Sequence, residues 1–291
     1  MKITYAPMVD KYECENDYID SILHHIMQGS GSDYHFLIAR ANNKEEKNAI
    51  EGCIIEGMKN VLILKSDEKG IVPPFLDRFV AVFRAFNTTK TCDAVKIFPI
   101  PCGYASIFNY EYNNQAYAPD CEPLPLHERE YDMFFSGQVF GQNRKQMKSA
   151  LDRISRFFKC CFHYTDGYAK GLPLAEYNRK MLSSRIAVVP KGATGYDGES
   201  MRYFEAVRAR CSIITSYDFQ NPLHDHWYYE GSPAIIVRDW SQLTPQLVDS
   251  MLRRDNLDFA FHEAKKYFSE RVDPSAVARY MLSKLESIAS A

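Results

Sequence analysis

The stretch AVVPKGATGYDGESMRYFEAVRAR (187–210) decides the fold. A short apolar run gives way to a loop with glycines at 192, 195 and 198, and the loop releases a helical pattern carrying Ser200, Arg202 and Glu205. An apolar run of strand length that feeds a helix is the repeating step of a parallel sheet, and the glycines let the chain turn tightly between the two. Ser200 stands where a helix cap is expected, with the helix starting near Met201. Arg202 and Glu205, three apart, share one face close to the helix N-terminus, where unpaired N–H groups and the helix dipole favour an anion. A surface ion pair at that spacing would contribute only about 0.2–0.5 kcal/mol. It would also leave the glycine-rich approach without a purpose.

The same step recurs on both sides of this stretch. YDMFFSGQV (131–139), CCFHYT (160–165), RIAVVP (185–190), CSIIT (211–215) and PAIIV (233–237) read as strands of one parallel sheet, with a helix expected over 143–158. Upstream, YHFLIAR (34–40), NVLILKSD (60–67) and VKIFPIP (95–101), with MKITYAP (1–7) as a further member, read as a first sheet. Helical spacing is expected there over 17–27 and 74–86. Between 105 and 130 the periodicity disappears and prolines gather at 119, 123 and 125, as in a connector. The organisation expected is therefore a first domain over 1–105, a linker over 106–130, a second domain over 131–260, and C-terminal helices over 261–291 that pack back on the first domain. The last helix has Asp273 as its cap, Pro274 in its first turn, and Val277, Met281, Leu285 and Ile288 along one face.

Composition sets the outer limits. Hydrophobic residues make up 46% and charged residues 25% of the 291 residues, the usage of an ordinary globular protein. A net charge of −2 gives no global attraction to nucleic acid, and no nucleic-acid partner is expected. No window approaches the roughly 18 apolar residues of a membrane span, and the N-terminus lacks the apolar core of a signal peptide. A cytoplasmic protein is expected, with peripheral membrane association as the only membrane contact. The eight cysteines include no Cys-x-x-Cys, so they read as reduced thiols, not as a disulfide or zinc framework. His224-Asp225-His226 has the residue types of a metal site but reads as packing or surface groups in a Pro- and Trp-containing segment, and no metal is expected.

Ligands of open parallel sheets collect at the carboxyl ends of the strands. FFSGQVFGQNRK (134–145) offers one such junction: Gly137 and Gly141 permit close backbone approach, and Arg144 and Lys145 sit in the first helical turn. Cations there oppose the helix dipole unless an anion such as phosphate neutralises them. The 187–210 stretch offers a second junction, with Lys191, Gly192, Asp197, Ser200, Arg202 and Glu205.

In this arrangement the chain resembles the GT-B glycosyltransferases, and within them the exostosin-like family, glycosyltransferase family 47. The resemblance rests on 131–137 with Arg144 after it, YNRKMLSSRIAVVPKG (177–192), S-x-R-x-x-E-A-V (200–207) before CSIIT, LKSDEKGIVPPFLDRFVAVFRAF (64–86), and KIFPIPCGY (96–104). It implies two Rossmann-like domains whose parallel sheets face an interdomain cleft, and a nucleoside-diphosphate sugar as donor substrate with no cofactor. It also implies that Glu205 accepts hydrogen bonds from the donor ribose. Asp197, eight residues earlier, holds the place of an acid that faces the donor sugar in retaining relatives, although here it also suits a turn.

Arg144, Lys145, Lys191 and Arg202 would neutralise the departing diphosphate without a metal, in keeping with the lack of an Asp-x-Asp signature. An inverting transfer further needs a base, for which Asp67 or Glu68 stands at a strand's carboxyl end, with Asp10, His24 and His25 as rivals. The function expected is sugar transfer to a glycan or lipid-linked acceptor in surface polysaccharide or glycan synthesis. A nucleotide-sugar epimerase or hydrolase of the same shape, or a non-catalytic nucleotide-sugar-binding subunit, is the alternative.

Overall fold

The computed structural model describes residues 1–7, 16–29, 33–41, 43–65, 75–85, 97–104, 111–112, 115–116, 123–167, 170–191, 200–217 and 226–290. The chain divides into two units. Unit 1 comprises Met1–Ala105, Asn221–Glu230 and Glu270–Ala291; unit 2 comprises Ser106–Gln220 and Gly231–Ser269.

Unit 1 is built on β1 (Lys2–Tyr5), β2 (Tyr34–Ala39), β3 (Lys59–Leu64), β4 (Ala81–Arg84) and β5 (Ile97–Pro99), all parallel and adjacent in sequence order. Consecutive residues of β2, β3 and β4 are buried, as expected of a sheet covered on both faces. One face carries Leu37, Ala39, Leu62, Leu64 and Val82 against Ile50 of α2 (Lys44–Gly52), Phe75 and Phe79. Asn43 caps α2, its side chain accepting from the Glu46 N–H at 2.9 Å. α1 (Asn16–Gly29) buries Tyr18, Ile19, Ile22, Leu23 and Ile26, the stripe of a helix with one apolar side.

The helix expected over 74–86 is not formed. Within it the described residues make a short helical turn at Leu76–Arg78, and then β4, which fills the sheet between β3 and β5. Ala81, Val82 and Phe83 are all buried on the strand, so consecutive apolar residues serve opposite faces instead of one helical stripe.

Unit 2 opens with a hairpin, β6 (Glu111–Tyr112) with β7 (Gln115–Ala116). Its main sheet follows: β8 (Tyr131–Gln138), β9 (Cys160–Thr165), β10 (Ser184–Val189), β11 (Ser212–Thr215) and β12 (Ala234–Ile236), parallel throughout, in the order β12-β11-β10-β8-β9. The helices are α3 (Gln142–Ile154), α4 (Leu174–Leu182), α5 (Met201–Arg208), α6 (Pro245–Leu252) and α7 (Arg254–Tyr267). Met147, Ala150, Leu151 and Ile154 of α3 recur at helical spacing and close over Met133, Phe135, Ile186, Val188 and Ile214 of the sheet. Trp240, Val248 and Met251 complete that core.

The last helix, α8 (Pro274–Ala289), belongs to unit 1 and packs against α1. Asp273 caps it by accepting from the Ser275 N–H at 2.9 Å, and Val277, Met281 and Leu285 are its buried stripe. Among the described residues no helix is long and apolar enough to cross a membrane.

Candidate functional site

In unit 2 the chain runs from β8 to β9 on one side of the sheet and from β10 to β11 on the other. Such a reversal of strand order opens a crevice beyond the carboxyl ends of the two strands. Gly137 and Gln138 end β8 there, Lys191 follows β10, and α3 and α5 start from the same edge.

Gly137 is a contact point. A Cβ at this position would lie 2.3 Å from Nη1 and 2.9 Å from Cζ of Arg202, so only a glycine lets the guanidinium come this close to the end of β8. Arg144, in the first turn of α3, reaches the same region. Its Nη1 donates to the Gln138 carbonyl at 3.2 Å and its Nη2 to the Lys191 carbonyl at 3.4 Å, which joins the ends of β8 and β10. The Arg144 Nε is buried and meets no hydrogen-bond partner among the described residues. Burial, and after it the positive charge of Arg202, push the Arg144 guanidinium below its ordinary pKa. Two cations thus converge where, among the described residues, a buried donor meets no acceptor, an arrangement that an anion would complete.

The frame around them is hydrogen-bonded. The Lys191 N–H donates to Ser216 Oγ at 3.1 Å, Ser216 Oγ to Asn143 Oδ1 at 3.3 Å, and Trp240 Nε1 to Asn143 Oδ1 at 3.1 Å. This chain links the residues after β10 and β11 to the first turn of α3. Gly141 takes the N-cap position of α3 at φ +82, a left-handed conformation that favours glycine, and no side chain caps the helix. At α5, Ser200 occupies the N-cap position in an extended conformation, but its hydroxyl makes no capping bond, contrary to the sequence expectation. Its backbone carbonyl instead receives the Tyr203 N–H at 2.8 Å, so the first turn closes without the side chain.

Glu205 lies deeper than a surface ion pair would. Its side chain is buried, and its Oε2 accepts from the Tyr177 hydroxyl at 2.6 Å. Burial first, and then the Glu205 charge, raise the Tyr177 phenol well above its ordinary pKa, while Arg202 acts in the opposite sense. The phenol therefore keeps its proton and donates a hydrogen bond to the carboxylate. Tyr177, Asn143 and Ser216 were not among the sequence candidates. Tyr177 lies inside the 177–192 stretch that carries the family resemblance, but a lone tyrosine on a helix gives no sign of whether it meets core or site.

Other candidates are placed as follows. Lys145 is exposed on α3 and Lys191 is half-buried. Gly192, Asp197, Asp67 and Glu68, like Asp10, His224 and Asp225, lie outside the described residues. His24 and His25 are exposed on α1. His226 is buried in unit 1 with its ring 5.3 Å from that of Tyr228 and 5.0 Å from that of Tyr229. Among the described residues no group of His, Cys, Asp and Glu is arranged to hold a metal ion, and no described cysteine forms a disulfide. Burial pushes the Cys160 thiol up to about 12 and also raises Cys161 and Cys211, the reverse of what a nucleophilic thiol needs.

No family model matches the sequence, and no curated protein matches it. Solved structures do match. An α1,3-fucosyltransferase aligns over 100% of this chain and 90% of its own, with TM-score 0.51 and 10% sequence identity. An α1,3-fucosyltransferase with GDP-fucose aligns over 99% of this chain and 90% of its own, with TM-score 0.50 and 11% identity. At such identities the likeness is one of fold: an α/β protein with two five-stranded parallel sheets, of the GT-B type.

Proposed function

We propose that the chain is a glycosyltransferase that moves a sugar from a nucleoside diphosphate to a hydroxyl of a glycan or lipid-linked acceptor, in surface polysaccharide or glycan synthesis. The observation that carries this reading is the convergence of Arg144 and Arg202 at the strand-order reversal of unit 2, with the buried Arg144 Nε meeting no hydrogen-bond partner among the described residues. The shared fold with a fucosyltransferase structure that carries GDP-fucose supports a nucleotide sugar as the ligand class. Within the GT-B enzymes, the S-x-R-x-x-E-A-V stretch keeps the exostosin-like group as our reading of the lineage.

In this reading the diphosphate lies against Arg144 and Arg202, with Gly137 and Gly192 giving the backbone room, Ser200 and Lys191 beside it, and Lys145 adding long-range attraction. Glu205 accepts from the ribose hydroxyls, and Asp197 faces the donor sugar. The acceptor oxygen attacks the anomeric carbon, and the bond from that carbon to the diphosphate oxygen breaks. The electron pair leaves with the nucleoside diphosphate, and the acceptor proton passes to a carboxylate, for which Asp67 and Glu68 are the candidates. Direct displacement of this kind inverts the anomeric centre. The two guanidiniums supply the countercharge for the departing diphosphate, so turnover is expected to survive EDTA.

Titration calorimetry with GDP and UDP in EDTA tests the site. One of the two is expected to bind, and Arg144→Ala and Arg202→Ala are each expected to weaken it by about 10- to 100-fold, the order of a lost charge-assisted hydrogen bond. Binding unchanged by both substitutions overturns the assignment. Donor consumption at full rate without acceptor would instead favour the epimerase or hydrolase.

A further inference from the structure

Resting on the nucleotide-sugar reading, we propose that Tyr177 is a positioning residue: from α4 it fixes the Glu205 carboxylate of α5 in the orientation that reads the hydroxyls of the ligand. The geometry carries this. The hydroxyl-to-carboxylate distance of 2.6 Å falls in the range of short charge-assisted bonds, and both side chains are buried, Tyr177 at 7% and Glu205 at 5% exposure.

The phenol is itself held. Its ring meets Phe134 of β8 edge-on, with centroids 5.4 Å apart, and the Tyr177 N–H is bonded to the Pro173 carbonyl at 2.9 Å. A glutamate has three side-chain torsions, whereas a tyrosine packed in this way has none left to choose. The bond therefore ties the Glu205 carboxylate to the rigidity of the sheet and α4. Arg202 also bears on the Tyr177 hydroxyl, so one phenol stands between the cation assigned to the diphosphate and the anion assigned to the hydroxyls.

The test compares GDP and UDP with their 2′,3′-dideoxy counterparts in wild type, Tyr177→Phe, Glu205→Ala and the double variant, with melting temperatures measured in parallel. Phenylalanine keeps the ring on Phe134 and deletes one oxygen. Tyr177→Phe is expected to lower the ribose-over-dideoxy preference by about fivefold, the order of one net hydrogen bond. It is expected to have little further effect in the Glu205→Ala background, since it acts through that residue. A preference that collapses in Glu205→Ala but stays at the wild-type value in Tyr177→Phe overturns the positioning role and leaves the nucleotide-sugar reading intact. So does a Tyr177→Phe penalty equally large with and without Glu205, or one confined to the melting temperature. Wild type that binds neither nucleotide, or a preference indifferent to Glu205, removes the underlying reading and this inference with it.

Discussion

At Gly137 a hydrogen in place of a methyl group admits the Arg202 guanidinium to the end of β8; at Gly103 it admits an aromatic ring. A Cβ at Gly103 would lie 2.2 Å from Cδ1 of Tyr18, and the residue has φ +77. Tyr18 in turn meets the Tyr104 ring edge-on at 5.2 Å and donates from its hydroxyl to the Val272 carbonyl at 2.5 Å. The Cys-Gly-Tyr end of the KIFPIPCGY landmark is thus a packing node of unit 1. The two glycines predict different failures. Gly137→Ala meets the far end of a flexible side chain but also strains a backbone at φ +156, so a modest loss of stability is expected beside a nucleoside diphosphate binding weakened about tenfold, as when one charge-assisted hydrogen bond is lost; calorimetry with GDP and UDP alongside a melting curve separates the two effects. Gly103→Ala meets a buried ring from a left-handed backbone and is expected to cost about 3 kcal/mol of stability, read as a lowered denaturant midpoint.

Among elements, α5 shows how a helix is anchored at the end remote from its site. Arg129, at 2% exposure, donates from Nε to the Leu124 carbonyl at 3.0 Å, from Nη1 to that of Ser184 at 2.7 Å, and from Nη2 to that of Ala209 at 2.8 Å. Ala209 is the C-cap of α5, so a buried cation satisfies its last carbonyls and complements its dipole. Arg129→Met leaves those acceptors without a donor and is expected to cost about 3 kcal/mol or more in urea unfolding. Arg129→Lys is expected to recover only part, because a single ammonium nitrogen does not span the carbonyls that Nε, Nη1 and Nη2 reach separately. Nothing in the sequence marks Arg129 for this task, since its partners come from chain segments up to 82 residues away. β4 was hidden for a related reason. PFLDRFVAVFR can be read at helical or strand spacing, and only its neighbours β3 and β5, with backbone groups to pair, select the strand. By contrast β8, β10 and β11 were legible because their apolar runs are continuous and end in loop residues. At the site, the glycines and charges around Arg144 and Arg202 were legible as types, but their approach across Gly137 depends on the sheet order.

For the molecule as a whole, buried phenols set an upper limit of pH. Burial raises both Tyr18 of unit 1 and Tyr177 of unit 2 well above the ordinary tyrosine pKa. Below about pH 10 folded and unfolded chains both keep these protons and the stability is complete. As pH rises further the unfolded chain sheds protons that the folded chain retains, so stability falls by about 1.4 kcal/mol per pH unit for each such tyrosine. The tyrosinate absorbance belonging to Tyr18 and Tyr177, read as the difference between wild type and the Tyr18→Phe and Tyr177→Phe variants, is therefore expected to grow together with loss of circular dichroism, and not ahead of it. The return of Glu270–Ala291 to unit 1 has a further consequence, which concerns the order of events at the ribosome. Every residue of unit 2 is synthesised after most of unit 1 and before α8, so unit 2 is nested inside unit 1 along the chain. α1, which packs against α8, must wait for it through the whole synthesis of unit 2. The nascent chain can complete its inner unit first, and the outer one closes around α1 only when residues 270–291 emerge.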